Sequence, residues 1–238
     1  MSTLAFRLLG PLGILCGDEQ LPKPATLKSQ SLLAYLISHR DQPQPRDHLA
    51  GIFWHDRPEP KARSSLSTAL WHIRRCLPPD RLLLSDRQSV QADPDADIWI
   101  DVDAFAAQAS QDDEESLQAA VTLYRGDFLD GFYDNWVINE RYRLKALFAG
   151  VLERLMRLRE TRGDARGALS AATRLLRQDP LREDAHRAAM RAYSHLGRRN
   201  AALNQYARCQ EILRQDLDVS PTEATTALYQ KIRVGRPD

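Results

Sequence analysis

Between Lys61 and Leu77 the chain reads KARSSLSTALWHIRRCL, with Leu66, Leu70, Ile73 and Leu77 at helical spacing along one apolar stripe. The opposite side carries Ser64, Thr68, Trp71, His72 and Arg75. Hydroxyl, imidazole and guanidinium groups one helical turn apart can exchange hydrogen bonds with a polar surface and hold anions. The same residues equally suit the solvated back of an amphipathic helix. Other chemistry has little footing here. No carboxylate pair, metal-spaced Cys/His cluster or Ser/Cys–His arrangement stands out, and GxGxxG and GxxxxGK patterns are absent. The expectation is a protein that is not an enzyme and needs no cofactor or metal.

The 238 residues contain no apolar run near the roughly 18 needed to span a membrane. The opening MSTLAFRLLGPLGILCG lacks the basic start of a signal peptide. Three widely spaced cysteines, Cys16, Cys76 and Cys209, suggest reduced thiols and a cytoplasmic setting. The net charge of +1 conceals a partition. Residues 1–91 carry 12 Lys and Arg against 8 Asp and Glu, residues 92–135 carry 1 against 12, and residues 136–238 carry 20 against 12. Such asymmetry is compatible with a nucleic-acid partner, although +4 over the first segment alone is a weak sign.

The elements that must position the polar face fall into two grammars. Ten of the thirteen prolines occur by Pro94, so the first part is short elements with frequent turns. LAFRLLG and LGILCG read as strands, and DEQLPKP closes their small sheet. ATLKSQSLLAYLISHR reads as a first helix, capped by Thr26 and burying Leu33, Leu36 and Ile37. RDHLAGIFWHD reads as a second, with Leu49, Ile52 and Phe53 inward and Trp54 in the core. RPEP separates it from the third helix, the opening stretch, which Lys61 and Arg63 are expected to precede. LLLS and SVQA read as hairpin strands within PPDRLLLSDRQSVQAD, with DRQ at the tip.

From DADIWIDVDAFAAQ onward the chain reads as long helices. Two segments, RGDARGALSAATRLLRQDP and LGRRNAALNQYARCQEILRQDL, align with a period of 34 at Gly163/Gly197 and at Ala168-Leu169/Ala202-Leu203. That is the tetratricopeptide period, in which small residues near a Gly turn let paired helices approach closely. LRQD recurs with an offset of 37, so the second copy should be about three residues longer in its second helix. QDDEES reads as a solvated helix start. ERLMRLRETRGDARG reads as a solvated face, with contact to DNA or a polymerase as the other reading.

Taken in order, FRLLGPLGIL, LLAYLISHR, RDHLAGIFW, ARSSLSTALWHIRRCL and IDVDAF resemble the response-regulator-type winged helix-turn-helix domain of SARP-type bacterial activators. LYRGDFLDGF, DPLREDAHRAAMRAYSHLGRRNAALNQY and LDVSPTEATTALYQKI resemble the bacterial transcriptional activator domain (BTAD) that follows it there. The resemblance covers nearly the whole chain. It implies a mainly α fold with small β: a winged helix-turn-helix DNA-binding domain over 1–93, then a tetratricopeptide-like all-α domain over 94–238. It also implies a transcriptional activator bound to double-stranded promoter DNA as side-by-side protomers on direct repeats, a homodimer at least on DNA, in contact with RNA polymerase, in the cytoplasm and without a membrane partner.

The resemblance puts the groove-facing positions at Ser64, Thr68 and His72. Trp71 shares their face but is expected to pack across the helix surface or under the wing. Arg63, Arg74 and Arg75 are placed for phosphates, Arg87 and Gln88 at the wing tip, and Lys28 near a backbone phosphate. Two departures stand out. Relatives usually carry Ser or Thr before the RD of the second helix, where this chain has Pro45 and so no capping oxygen. The third helix carries Ser64, Ser65, Ser67 and Thr68 in its first half, where family members often carry basic residues. That composition points to modest specificity per protomer, and it keeps open a scaffold or sensor module whose winged helix no longer binds DNA specifically.

Overall fold

The computed structural model describes residues 3–77 and 82–235. The lead into the expected hairpin, residues 78–81, lies outside them. In chain order the elements are β1 (Leu4–Arg7), β2 (Gly13–Cys16), β3 (Glu19–Gln20), α1 (Leu27–Ser38), β4 (Gln44–Pro45), α2 (Arg46–Trp54), α3 (Glu59–Cys76), β5 (Leu83–Ser85), β6 (Ser89–Ala92), β7 (Ile98–Ile100), α4 (Asp101–Ala109), α5 (Glu114–Leu123), α6 (Asn135–Thr161), α7 (Ala165–Gln178), α8 (Glu183–His195), α9 (Arg199–Leu217) and α10 (Glu223–Arg233). The fold is mainly α with small sheets, as the sequence implied. Among the described residues no helix is long and apolar enough to cross a membrane.

The chain forms two compact units, residues 1–106 with 123–144 and residues 107–122 with 145–238. These differ from the expected 1–93 and 94–238 division. One reason is β7, which lies past residue 93 and pairs in parallel with β1 through Leu4–Ile98, Ala5–Trp99 and Phe6–Ile100. Its three residues, Ile-Trp-Ile, are too few to show a strand period beside the long helical pattern that follows.

In the first unit, one sheet runs β3-β2-β1-β7 and another β4-β6-β5. The α1 start follows the sequence reading, since the Thr26 hydroxyl accepts the Ser29 amide at 3.1 Å. Its Leu33 and Ile37 are completely buried. The α2 start has no side-chain cap at Pro45. The Arg46 amide, one of the orphan donors of the first turn, donates to the Gln88 carbonyl of the wing at 2.9 Å. Trp54 is buried, as expected.

α3 begins two residues before Lys61, so Lys61 and Arg63 lie inside the helix rather than ahead of it. Pro60 does not prevent this. A proline in the first turn has no intrahelical donor to lose, and the Lys61 and Ala62 amides both reach the Pro58 carbonyl.

The buried carboxylate of Asp101, 1% exposed, closes this unit. It accepts the Leu8 amide at 2.7 Å and the Leu9 amide at 3.1 Å, and Arg125 reaches it at 3.0 Å. Burial pushes its pKa up, against the pull of those three donors.

In the second unit, α7, α8, α9 and α10 pack successively. Gly163 and Gly197, 34 residues apart, have φ of +73° and +71°, the same left-handed turn that glycine adopts without strain. Ala168 and Ala202 are both buried beyond those turns. Positions related by 34 residues thus share a backbone turn and a buried alanine. The extra length falls in the helix after the Gly turn, as the offset of LRQD implied: α9 has 19 residues against 14 in α7. Met190, Ala202 and Ile232 form a small core flanked by Tyr206 and Tyr229, whose rings stack at 4.2 Å. The RGDAR segment is a turn, with Asp164 accepting the Gly167 amide at 2.9 Å as the α7 cap.

The acidic stretch and the arginine-rich stretch pair with each other. Arg154 reaches Asp112 at 2.7 Å, Arg159 reaches Glu114 at 3.0 Å, and Arg162 also bonds Glu114. The two arginines hold the Glu114 carboxyl below its ordinary range. Asp113 caps α5 by accepting the Ser116 amide at 2.9 Å. Neither stretch is simply a solvated face.

Replacing Asp101 by Ala would strand two buried amides. The expected cost is about 3 kcal/mol or more, at about 1–3 kcal/mol per unsatisfied group. Chemical denaturation would measure it, and a loss under about 1 kcal/mol would show that the carboxylate is dispensable.

Candidate nucleic-acid interface

The face that α3 presents follows from what it buries. Leu66 and Ile73 are completely buried, Leu70 is 2% exposed, and Ala62, Ala69 and Leu77 are buried beside them. α3 packs on α1 and α2 through this stripe. Ser64, Ser67, Thr68, Trp71, Arg74 and Arg75 are therefore exposed, with His72 half-buried at the edge.

The hydroxyls of the first half fold back onto the helix. Ser65 donates to the Lys61 carbonyl at 2.8 Å, Ser67 to that of Arg63 at 3.1 Å, and Thr68 to that of Ser64 at 3.1 Å. Their protons are used within α3. Outward, Thr68 offers its methyl group and acceptor lone pairs. This is the physical content of a serine-rich helix: it presents acceptors and small apolar groups rather than cations.

Trp71 is 51% exposed and lies across the surface of α3, outside the core. The Arg75 guanidinium lies 4.8 Å from its ring centroid, and the His72 imidazole stands edge-on at 5.0 Å. The three form an exposed aromatic–cationic cluster one turn from Thr68. Such stacking fixes the guanidinium plane without removing its charge.

The expected cations differ in availability. Lys28 is bound to Asp134 at 2.6 Å, and Arg63 to Glu59 at 2.7 Å and Asp47 at 3.0 Å. Arg74, Arg75 and Arg87 make no ion pair among the described residues. Even so, Lys28 sits beside the reading face: a recess of about 390 Å³ is lined by Lys28, Arg57, Ser64, Thr68 and His72 among others. At the wing tip, Asp86 accepts the Gln88 and Ser89 amides, both at 2.7 Å. These amides hold its carboxyl below the ordinary range. They shape the turn that exposes Arg87 and Gln88.

Two further cations belong to this face and were not recognised from the sequence. Arg57, in the turn after α2, donates to Ser65 Oγ at 2.9 Å. Arg46, the first residue of α2, donates to Ser67 Oγ at 3.1 Å and to Ser85 Oγ at 3.0 Å. Neither lies on the third helix or at the wing tip, so no spacing within those segments points to them.

Residues 101–233 match the family model for the bacterial transcriptional activator domain, more than half of the chain. The transcriptional regulatory protein MoaR1 of Mycobacterium tuberculosis is 28% identical over 95% of this chain and 78% of its own length. The transcriptional regulatory protein EmbR of Mycobacterium bovis is 26% identical over 98% of this chain and 64% of its own length. A solved structure of Mycobacterium tuberculosis EmbR with a low-affinity phosphopeptide superposes over the whole chain and 67% of that protein, with a TM-score of 0.75 at 24% identity. That last likeness concerns the fold.

Because Trp71 is half in solvent, its replacement by Ala should cost at most about 1 kcal/mol, the scale of an exposed cation–π contact. A denaturation curve showing about 3–5 kcal/mol, the cost of deleting a core aromatic, would place Trp71 in the core after all.

Proposed function

The chain belongs to the bacterial transcriptional activator domain family, and on that basis we propose that it is a transcription regulator that reads double-stranded promoter DNA through the outward face of α3. The observation that supports this reading is the one-sided burial of α3, which leaves Ser64, Thr68, His72 and the Trp71–Arg75 pair facing outward between Lys28 and the wing. An α-helix fits the major groove, and residues one turn apart on its outer face reach base edges there. Thr68 suits a thymine methyl group or a donor on a base. His72 donates or accepts. Arg74, Arg75 and Arg87 are anchors for phosphates.

The finer features are part of the same proposal: activation rather than repression, side-by-side protomers on direct repeats, a dimer at least on DNA, and contact with RNA polymerase. So are a non-catalytic role and a cytoplasmic location. Modest base reading per protomer fits pairing, since two weak half-sites on one duplex multiply. The second unit, with its paired helices, is the natural surface for protein contact. Its Arg154, Arg159 and Arg162 are engaged with acids, so they are poor candidates for phosphate contact.

A second reading has its own support. With Lys28 and Arg63 paired and three α3 hydroxyls folded back, the face is less cationic than its composition suggests. On this reading the winged helix mediates protein contacts and DNA binding is absent.

In vitro selection of duplex DNA followed by salt titration separates the two. If each protomer neutralises about four to six phosphates, log K should fall with log salt with a slope of about −4 to −5. His72→Ala and Arg75→Ala should each weaken binding to the selected duplex by about ten-fold, as expected for loss of about 1–3 kcal/mol per contact. No enriched sequence, or binding indifferent to salt and to both substitutions, would favour the scaffold reading.

A further inference from the structure

We propose that Arg46, oriented by the Ser67 hydroxyl and joined by that of Ser85, forms a seat for one backbone phosphate of double-stranded DNA. The proposal rests on the DNA-reading face described above and assigns a residue outside both the third helix and the wing tip.

The argument is geometric. If α3 enters the major groove and the wing reaches the adjacent minor groove, the sugar–phosphate strand that separates the two grooves must cross the notch between α3 and the wing. Arg46 occupies that notch. Its guanidinium bridges the two elements, donating from Nη2 to Ser67 on α3 at 3.1 Å and from Nη1 to Ser85 on β5 at 3.0 Å. Its own amide is fixed to the wing carbonyl of Gln88 at 2.9 Å, and β4 pairs its neighbour Pro45 with Ser89. The side chain is thus held at both ends before any ligand arrives, which lowers the entropy lost on binding.

Its charge is only partly engaged: it helps to lower the Asp86 carboxyl pKa, but no carboxylate is bonded to it among the described residues. Lys28 and Arg63 have carboxylate partners, whereas the partners of Arg46 are two neutral hydroxyls. The nearby Asp86 directs its oxygens at the Gln88 and Ser89 amides and makes no ion pair with Arg46 among the described residues. A guanidinium carries five N–H donors, and two hydroxyls take only two of them. The remaining donors match a phosphodiester, to which planar, delocalised Arg is well suited. Ser85, exposed on β5, can add its hydroxyl proton to a second phosphate oxygen.

The test is salt-titrated binding of the full chain to two duplexes: one selected from a random pool, and one of the same composition in scrambled order. Arg46→Gln removes the charge while keeping an amide donor for the serines. It should reduce the salt slope by about 1 and weaken binding by roughly eight-fold at about 0.1 M salt, equally on both duplexes. Arg46→Lys, which keeps the charge, should retain the parent slope. A thermal melt of each variant separates loss of the seat from loss of the fold. An unchanged slope in Arg46→Gln, an equal loss in Arg46→Lys, or a loss confined to the selected duplex would each overturn the phosphate seat. Those results leave parent binding intact, so they are distinct from failure of the DNA-reading proposal, in which the parent chain itself shows no salt-dependent binding.

Discussion

The burial of Leu66, Leu70 and Ile73 against α1 and α2 is the constraint on which the functional geometry depends. A helix that commits one stripe to a core has no freedom about which residues it shows. Burying three large aliphatic side chains is worth on the order of 5–8 kcal/mol. No rearrangement of the exposed serines and arginines competes with that. The outward face is therefore fixed by packing, and its chemistry is whatever the sequence places there.

What is placed there is a graded surface. The first half of α3 offers acceptors and a methyl group, since three of its hydroxyls donate to their own helix. The last turns offer an exposed indole with a guanidinium stacked on it. Cations come from neighbouring elements as well: Lys28 from α1, Arg57 after α2, and Arg46 at the seam with the wing. In the second unit, some charges are paired locally. Asp112 and Glu114 are paired with Arg154, Arg159 and Arg162 within the second unit. Part of the charge partition along the sequence is therefore internal pairing.

Much of this was legible in the residues. Proline density separated the short elements from the long helices, Thr26 marked the α1 cap, and the apolar stripe of α3 named its own core residues. The period of 34 pointed to Gly163 and Gly197, which adopt the same turn. What was not legible depends on contacts distant in sequence. β7 is recognisable only through its pairing with β1, 94 residues away from Leu4 to Ile98. Trp71 is a large apolar residue on a polar face, and composition favours burying it; only the direction of the α3 stripe shows that no core lies on that side. Arg46 reads as an ordinary first-turn residue until Ser67 and Ser85 are brought to it. The missing cap at Pro45 was visible, but the bond from the Arg46 amide to the Gln88 carbonyl was not.

The central claim is that the Thr68–His72 face of α3 lies in the major groove. Photocrosslinking addresses it most directly. A photoreactive amino acid in place of Thr68, and separately in place of His72, should crosslink the full chain to bases of a selected duplex. The crosslinked bases should be offset consistently between the two positions, about one helical turn of α3 apart. Retained DNA binding with no crosslink to bases from either position would contradict the account.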